Sequence, residues 1–409
     1  MLRTSLGFHT LNIFKRIDSK QAKQLLSDFM RYRDATNEIT VYIPKDEKER
    51  IESAKKFRES THIKTLILPQ KWKIDYIHDE DKGISWTLKY FTLSSQFKEY
   101  IIEARINPKI LIGIQDYISA AVGDHLKFAG QRFDERTEKI SRILGKFDFY
   151  KLKRVDFCIN FDLMELGINC TPEQMMRLIR MGDCPNHYNE WQKYDPVARR
   201  KKGSKFSYYL KSGSVNINCY YKHYQLTEEF PECPNIDDAL HVIRFEVQCL
   251  YRKVYTMSKI LESQSKDGSN HLIYSIISDI MATDMIERYF NQTIGAGDYY
   301  SLQAAIGIVE DQGFRPEKEE RLITALKWVN QCRGIAKSKD GLNIKGLSLL
   351  HQSLRELEFI GVNPATIPKS FGIKHIPNLL DSYCKLRELG GSTAFPFIDP
   401  FEPLEKPFF

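Results

Sequence analysis

The sequence predicts an α+β protein: an antiparallel sheet with helices on one face, followed by a helical C-terminal domain. Three observations carry this. Segments before residue 255 alternate apolar and polar residues, the period of a half-buried strand. Helical spacing interrupts them. From 256 onward the apolar residues recur at the helical period almost throughout. A length of 409 residues favours two domains, and 42% hydrophobic with 28% charged residues belongs to a globular chain. The domains are placed at 1–255 and 256–409, the second ending in a Pro/Phe-rich tail (395–409) that is unsuited to helix.

The elements follow in order. "EITVYIP" (38–44), "HIKTLILP" (62–69), "GISWTLKYF" (83–91) and "EYIIEARI" (99–106) read as strands bounded by Pro, Gly or charged turns. Pro108 opens "PKILIGIQDYISAAVGDHLKF", whose apolar spacing is helical. "KRVDFCINF" (153–161) is a strand. Thr171, Pro172 and Gln174 then form a capping box before "MMRLIRM". A basic loop (193–205) leads into "KFSYYLK" and "SVNINCYYKHYQL", and "HVIRFEVQCLY" is the last strand. "HLIYSIISDIMATDMIERYF", "PEKEERLITALKWVNQC", "LSLLHQSLRELEFI" and "IPNLLDSYCKLREL" are helices.

Alternation sorts side chains onto faces. In "RVDFCINF", Arg154, Asp156, Cys158 and Asn160 share one face, against Val155, Phe157, Ile159 and Phe161. Arg244, Glu246 and Gln248 do the same in "IRFEVQCL", and Glu103 with Arg105 in "IIEARI". In "VNINCYYKHYQL", Tyr220, Lys222 and Tyr224 fall on the polar side and Tyr221 on the apolar side. One sheet would display these polar sets together. Carboxylates so clustered raise one another's pKa unless a cation sits among them, and oxygen ligands suit Mg²⁺ or Mn²⁺.

The net charge of +7 permits an anionic partner without demanding one. None of the eight cysteines forms a Cys-x-x-Cys pair, so the expectation is reduced thiols in a cytosolic chain. The N-terminal segment lacks an apolar run and cleavage site, and no stretch reaches the length of a membrane span, so no leader or membrane anchor is expected.

Four segments in order, "GISWTLKYF…YIIEARINPKILIG", "KRVDFCINF", "YYKHYQL" and "VIRFEVQCLYRKVY", resemble the gene II replication initiators of filamentous phages, which are rolling-circle nicking endonucleases. The resemblance spans residues 83–255 and implies a replication-initiator nuclease fold. The family's nucleophile motif is Tyr, any residue, Lys, His, any residue, Glu, Leu. Here it reads Tyr220, Tyr221, Lys222, His223, Tyr224, Gln225, Leu226. The resemblance thus names Tyr220 as nucleophile. Gln225 replaces the family's acid, and strand alternation puts it on the other face, where it would matter little.

The implied reaction is attack of a tyrosine hydroxyl on a DNA phosphodiester. The protein becomes joined to the 5′ phosphate and a 3′ hydroxyl is freed to prime a host polymerase. The displaced strand is later rejoined. A free phenol with pKa about 10 is roughly 0.1% ionised at pH 7. Lys222 would offset that cost, and Arg244 or Arg154 would bind a phosphate oxygen. Asp156 and Glu246, with Glu103, would hold Mg²⁺ or Mn²⁺. Tyr224 is a candidate second nucleophile. Arg199, Arg200, Lys201, Lys202 and Lys205 are candidate DNA contacts, and Trp191, Tyr208 and Tyr209 candidate stacking residues. The partners implied are origin DNA, duplex and single-stranded, with host helicase and polymerase, in the bacterial host cytoplasm. The alternatives are a conjugative relaxase using the same chemistry, or a non-catalytic DNA-binding protein in which Tyr220 is structural.

Overall fold

A computed structural model describes residues 3–42, 70–77, 83–92, 98–191, 193–195, 200–202, 205–264 and 272–389. The alternating segments assemble into one sheet. Its strands are β1 (Ser5–Ile17), β2 (Ile39–Tyr42), β3 (Gln70–Tyr76), β4 (Ile84–Thr92), β5 (Lys98–Ile106), β6 (Lys151–Asp162), β7 (Asn189–Glu190), β10 (Ser207–Lys211), β11 (Val215–Tyr221) and β12 (Val242–Cys249). Two short strands, β8 (Lys193–Asp195) and β9 (Arg200–Lys202), form a separate two-stranded sheet among the described residues. The order across the ten-stranded sheet is β2-β3-β4-β5-β1-β6-β12-β11-β10-β7, and every pairing is antiparallel. The protein is therefore a mixture of helix and antiparallel sheet, of α+β class.

The apolar face carries the main core. Phe29 of the helix Ser19–Thr36 packs on Trp86 of β4, with ring centroids 5.8 Å apart. Phe290 of the helix Asp279–Thr293 meets Phe161 of β6 at 5.7 Å and Phe245 of β12 at 5.4 Å. One hydrophobic cluster thus runs from Phe8 to Tyr383, across residue 255, which itself lies inside the helix Tyr251–Gln264. Farther on, the helices Leu302–Asp311, Pro316–Cys332 and Ile344–Phe359 pack around two small clusters of their own, centred on Leu322 with Leu357 and on Val329 with Leu354.

Several elements differ from the sequence reading. Ser5–Ile17, read only for its lack of a leader, is a central strand. The segment opened by Pro108 is one turn of helix, Pro108–Leu111, ended by Gly113 at φ +86°; residues 112–122 run without helix before Gly123–Ile140. The strand expected to continue to Leu226 stops at Tyr221, and Lys222–Glu229 is a helix. The capping box is as expected, with Gln174 N donating to Thr171 Oγ1 and Thr171 N to Gln174 Oε1. The expected strand 62–69 and the tail 395–409 lie outside the described residues. Among the described residues no helix is long and apolar enough to cross a membrane.

Candidate active site

Strand register sets the polar face in rows. Tyr220 on β11 lies opposite Arg244 on β12, Arg244 opposite Asn160 on β6, and Asn160 opposite Ser5 on β1. The next row holds Asn218, Glu246, Cys158 and Gly7. Asn216, Gln248 and Asp156 follow. Tyr220, Arg244, Glu246 and Asp156 therefore share one surface, which strand pairing rather than alternation decides.

Tyr220 donates its hydroxyl proton to Glu246 Oε1 at 2.6 Å. Burial, reinforced by the Glu246 charge, pushes the phenol pKa well above 10. Arg244 is 0% exposed. Its Nε donates to Asn160 Oδ1 at 2.7 Å and its Nη2 to the Ile118 carbonyl. Its Nη1 has no hydrogen-bond partner and stands 3.9 Å from Glu246 Oε1. An unpaired buried N–H is expensive, on the order of 1–3 kcal/mol or more for a charged group. Asn160 anchors this guanidinium, and its Nδ2 also donates to Ile118 O at 2.5 Å.

Segment 112–122 supplies that carbonyl. It lies across β1 through a two-way backbone bridge between Phe8 and Ala121, and it can do so because residue 7 is glycine: a Cβ there would stand 2.0 Å from Ala121 O. Asp116 Oδ1 accepts the amides of Ile118 (2.8 Å) and Ser119 (3.0 Å), while Lys109 Nζ grips Asp116 Oδ2 and Ser119 Oγ. The peptide joining Ile118 to Ser119 is thus held by Asp116 at its N–H and by Arg244 at its C=O. Burial would raise the Asp116 carboxyl, but the Lys109 ammonium outweighs it and holds the pKa well below the usual range.

Lys222 reaches Tyr220 by another route than strand alternation. It opens the helix Lys222–Glu229, is 2% exposed, and places Nζ 5.9 Å from the Tyr220 ring centroid. Burial, then the Arg244 charge, lowers its pKa to about 7. The helix corrects the expectation for Gln225. Positions three apart on a helix are neighbours, and Lys222 Nζ donates to Gln225 Oε1 at 2.7 Å. Gln225, expected on the far face, is the direct partner of the lysine.

Arg154 holds Asp156 bidentately, both contacts at 2.7 Å. Burial still lifts the carboxyl pKa to about 6 against that pair, with the Glu246 charge adding to the rise. A buried carboxylate raised in part by the charge of another on the same face is a donor that a divalent cation relieves. Glu103 does not join them. Lys89 and Lys153 both bind it, and these two ammonium groups outweigh burial and lower its pKa. Among the described residues no group of three or more His, Cys, Asp or Glu side chains is placed to hold a metal.

Tyr224 leaves the polar face with the change to helix. It is exposed and stacks on Phe206 at 4.2 Å, beside Tyr221 rather than Tyr220. Arg200, Lys201 and Lys202 belong to β9; their side chains, and all of Arg199, lie outside the described residues. Lys205 is exposed just before β10, whose Ser207 pairs with Tyr220. Tyr208 is buried and donates to Asp183 O at 3.2 Å, which removes it as a stacking surface. Tyr209 donates to Gln248 Oε1 at 3.2 Å, and the exposed Trp191 has Lys211 Nζ 4.7 Å from its ring centroid.

Two residues escaped the sequence reading. His9 lies where β1 shifts register between Phe8 and Leu11. Burial, with Arg244, Lys222, Arg105 and Lys109 nearby, holds its imidazole well below 6.5 and hence neutral. Arg105 was placed on the polar face but given no role; it is exposed and forms no ion pair among the described residues. The hydrophobic neighbours of His9 hid it, and no metal or catalytic spacing marked it.

No protein-family profile, curated protein or solved structure matches this chain.

Proposed function

We propose that the protein is a phage replication initiator that nicks origin DNA, with Tyr220 as nucleophile. One observation carries the reading: the Tyr220 hydroxyl sits 2.6 Å from Glu246, beside a fully buried arginine whose Nη1 has no partner. A structural tyrosine does not need an unsatisfied guanidinium beside it, whereas a phosphoryl oxygen would satisfy that N–H. The resemblance to filamentous-phage initiators in four ordered segments supports the same tyrosine.

In this mechanism Glu246 accepts the phenolic proton as the Tyr220 oxygen attacks phosphorus. The bond from phosphorus to the 3′ oxygen breaks as the bond to tyrosine forms, leaving the 5′ phosphate on the protein. Lys222, with a pKa of about 7, delivers a proton to the departing 3′ oxygen. Arg244 Nη1 binds a non-bridging oxygen. Asp156 and Glu246 are the residues that would hold Mg²⁺ or Mn²⁺, and the ion, when bound, would polarise the phosphate. Return of the 3′ oxygen to the phosphotyrosine reverses these steps and rejoins the strand.

The test is to incubate the protein with Mg²⁺ or Mn²⁺ and supercoiled DNA carrying the cognate origin, then to assay for a nick and a covalent protein–DNA adduct. Tyr220→Phe is expected to abolish the adduct, and adduct formation by that variant would refute the assignment. Asp156→Ala and Glu246→Ala are expected to suppress nicking.

A further inference from the structure

A pocket of about 270 Å³ opens beside Lys222, bounded by His9 and Thr10 of β1, by Gly83–Ser85 and Arg105 of β4 and β5, and by the helix Lys222–Glu229. Taking Tyr220 as the nucleophile, we propose that this pocket binds one unpaired nucleotide next to the scissile phosphate.

The argument begins with position. Lys222 lines the pocket and also stands over the Tyr220 ring, so a group held there lies one side chain away from the reacting hydroxyl. Size comes next. Pockets for drug-sized ligands begin at roughly 300 Å³. A volume of about 270 Å³ lies just below that range, the scale of one small ligand.

The wall chemistry is divided in the way a nucleotide is divided. Ile84, Ile110 and Leu226 give apolar surface, flanked by the stacked pair Tyr117 and Phe230 at 5.6 Å. Such surface suits the faces of a base. Asn107, Ser85 and Gln225 offer amide and hydroxyl groups suited to base edges. Arg105 and Lys222 provide the cationic end, with neutral His9 between them as a donor or acceptor. The one carboxylate in the wall, Glu229, is already engaged by Gln225 Nε2.

The rim is built closely enough to keep its shape. Gly83 has φ +63°, and a Cβ there would fall 2.3 Å from Leu111 N and 2.8 Å from Asn107 O. Only glycine lets this strand entry lie against the Asn107–Leu111 turn that carries Asn107 and Ile110 into the wall. A base in a duplex cannot enter. It must leave the stack, at a cost of a few kcal/mol that is smallest in single-stranded substrate.

Isothermal titration of the full chain without metal tests the proposal. The probes are the four deoxynucleoside 5′-monophosphates, the four deoxynucleosides and inorganic phosphate. At least one monophosphate is expected to bind about tenfold or more tighter than both phosphate and its own nucleoside. Arg105→Gln is expected to remove most of that advantage while leaving nucleoside binding unchanged, and Asn107→Ala to alter the preference among the four bases; thermal melts verify that both variants are folded. Phosphate binding as tightly as the best monophosphate would overturn the proposal, as would indifference to Arg105→Gln or the absence of binding by any probe. Tyr220→Phe is expected to bind the monophosphate like the wild type. Monophosphate binding with no origin nicking would sink the reaction and leave the pocket, whereas adduct formation with no monophosphate binding would do the reverse.

Discussion

Placing an acid beside Lys222 tests the electrostatics of the site most directly. Burial lowers the lysine from 10.5 to about 7 in the folded chain. Below pH 7 both folded and unfolded chains carry the ammonium, and the folded chain bears the whole desolvation cost, on the order of 5 kcal/mol at 1.36 kcal/mol per pH unit. Between about 7 and 10.5 the unfolded chain binds a proton that the folded chain does not, so stability rises with pH. From pH 7 to 8.5 the rise from this one group is about 2 kcal/mol, and comparison with Lys222→Met removes the opposing cysteine titration that sets in near pH 8.5. Gln225 Oε1 lies 2.7 Å from the amine. A carboxylate at that place raises an amine pKa by about 1 to 3, worth roughly 1–4 kcal/mol at pH 7, less the loss of the Gln225 Nε2 bond to Glu229; Gln225→Glu is therefore expected to flatten the rise. Urea unfolding of wild type, Gln225→Glu and Lys222→Met, each at several pH values from 6.5 to 8.5, measures this. Lys222→Met should be the most stable of the three at pH 6.5 and lack the rise. Equal pH slopes in wild type and Lys222→Met would refute the reasoning, because the amine would then be charged in both states.

Asp116→Asn keeps the shape of the clamp on the Ile118–Ser119 peptide but removes the charge opposite Lys109. It is expected to lower the rate of nicking about tenfold with little change in DNA affinity, since Arg244 loses orientation rather than charge; single-turnover adduct formation alongside a binding titration separates the two. Phe290→Ala removes a ring packed on Phe161 and Phe245. A loss of about 3–5 kcal/mol in urea unfolding is expected. A loss under 1 kcal/mol would mean that the helix Asp279–Thr293 contributes little to the sheet.

What was legible in the sequence is what a strand period encodes. Alternation puts Arg244 with Glu246, Asp156, and Tyr220 each on the polar face of its own strand; that the three faces meet is decided by the strand pairing, which the alternation does not specify. The period failed where the chain departs from it. The burial pattern of β1 is irregular because its register shifts between Phe8 and Leu11, so the strand that carries His9 has no clean alternation to read. Lys222 stands beside Tyr220 for a reason other than alternation: the strand ends at Tyr221, and the lysine approaches from the first turn of a helix. The same end of strand moved Gln225 from the far face to the lysine and turned Tyr224 away. Segment 112–122 has helical apolar spacing, yet Gly113 takes a left-handed conformation and the segment lends its Ile118 carbonyl to Arg244. That use depends on a partner more than a hundred residues away, which no local pattern records.

The buried charges themselves argue for chemistry over support. Arg244, Lys222, Lys109, Asp156 and Glu246 are all buried at one end of the polar face or beside it. Buried ions seldom stabilise a fold relative to apolar side chains of similar size, because desolvation offsets their attraction. Pairing explains Lys109 with Asp116 and Arg154 with Asp156. It explains less well an arginine that meets Glu246 only at 3.9 Å and leaves Nη1 without a hydrogen bond, or a lysine whose partner is a neutral amide. Both groups stand within reach of the same phenol, and both would gain from a phosphodiester that delivers negative charge between them. Such perturbed groups gathered around one hydroxyl mark a site with a physical rationale. On this argument the substrate completes the electrostatics of the folded chain, and the stability forgone by burying Arg244 and Lys222 is recovered only when a phosphate is bound.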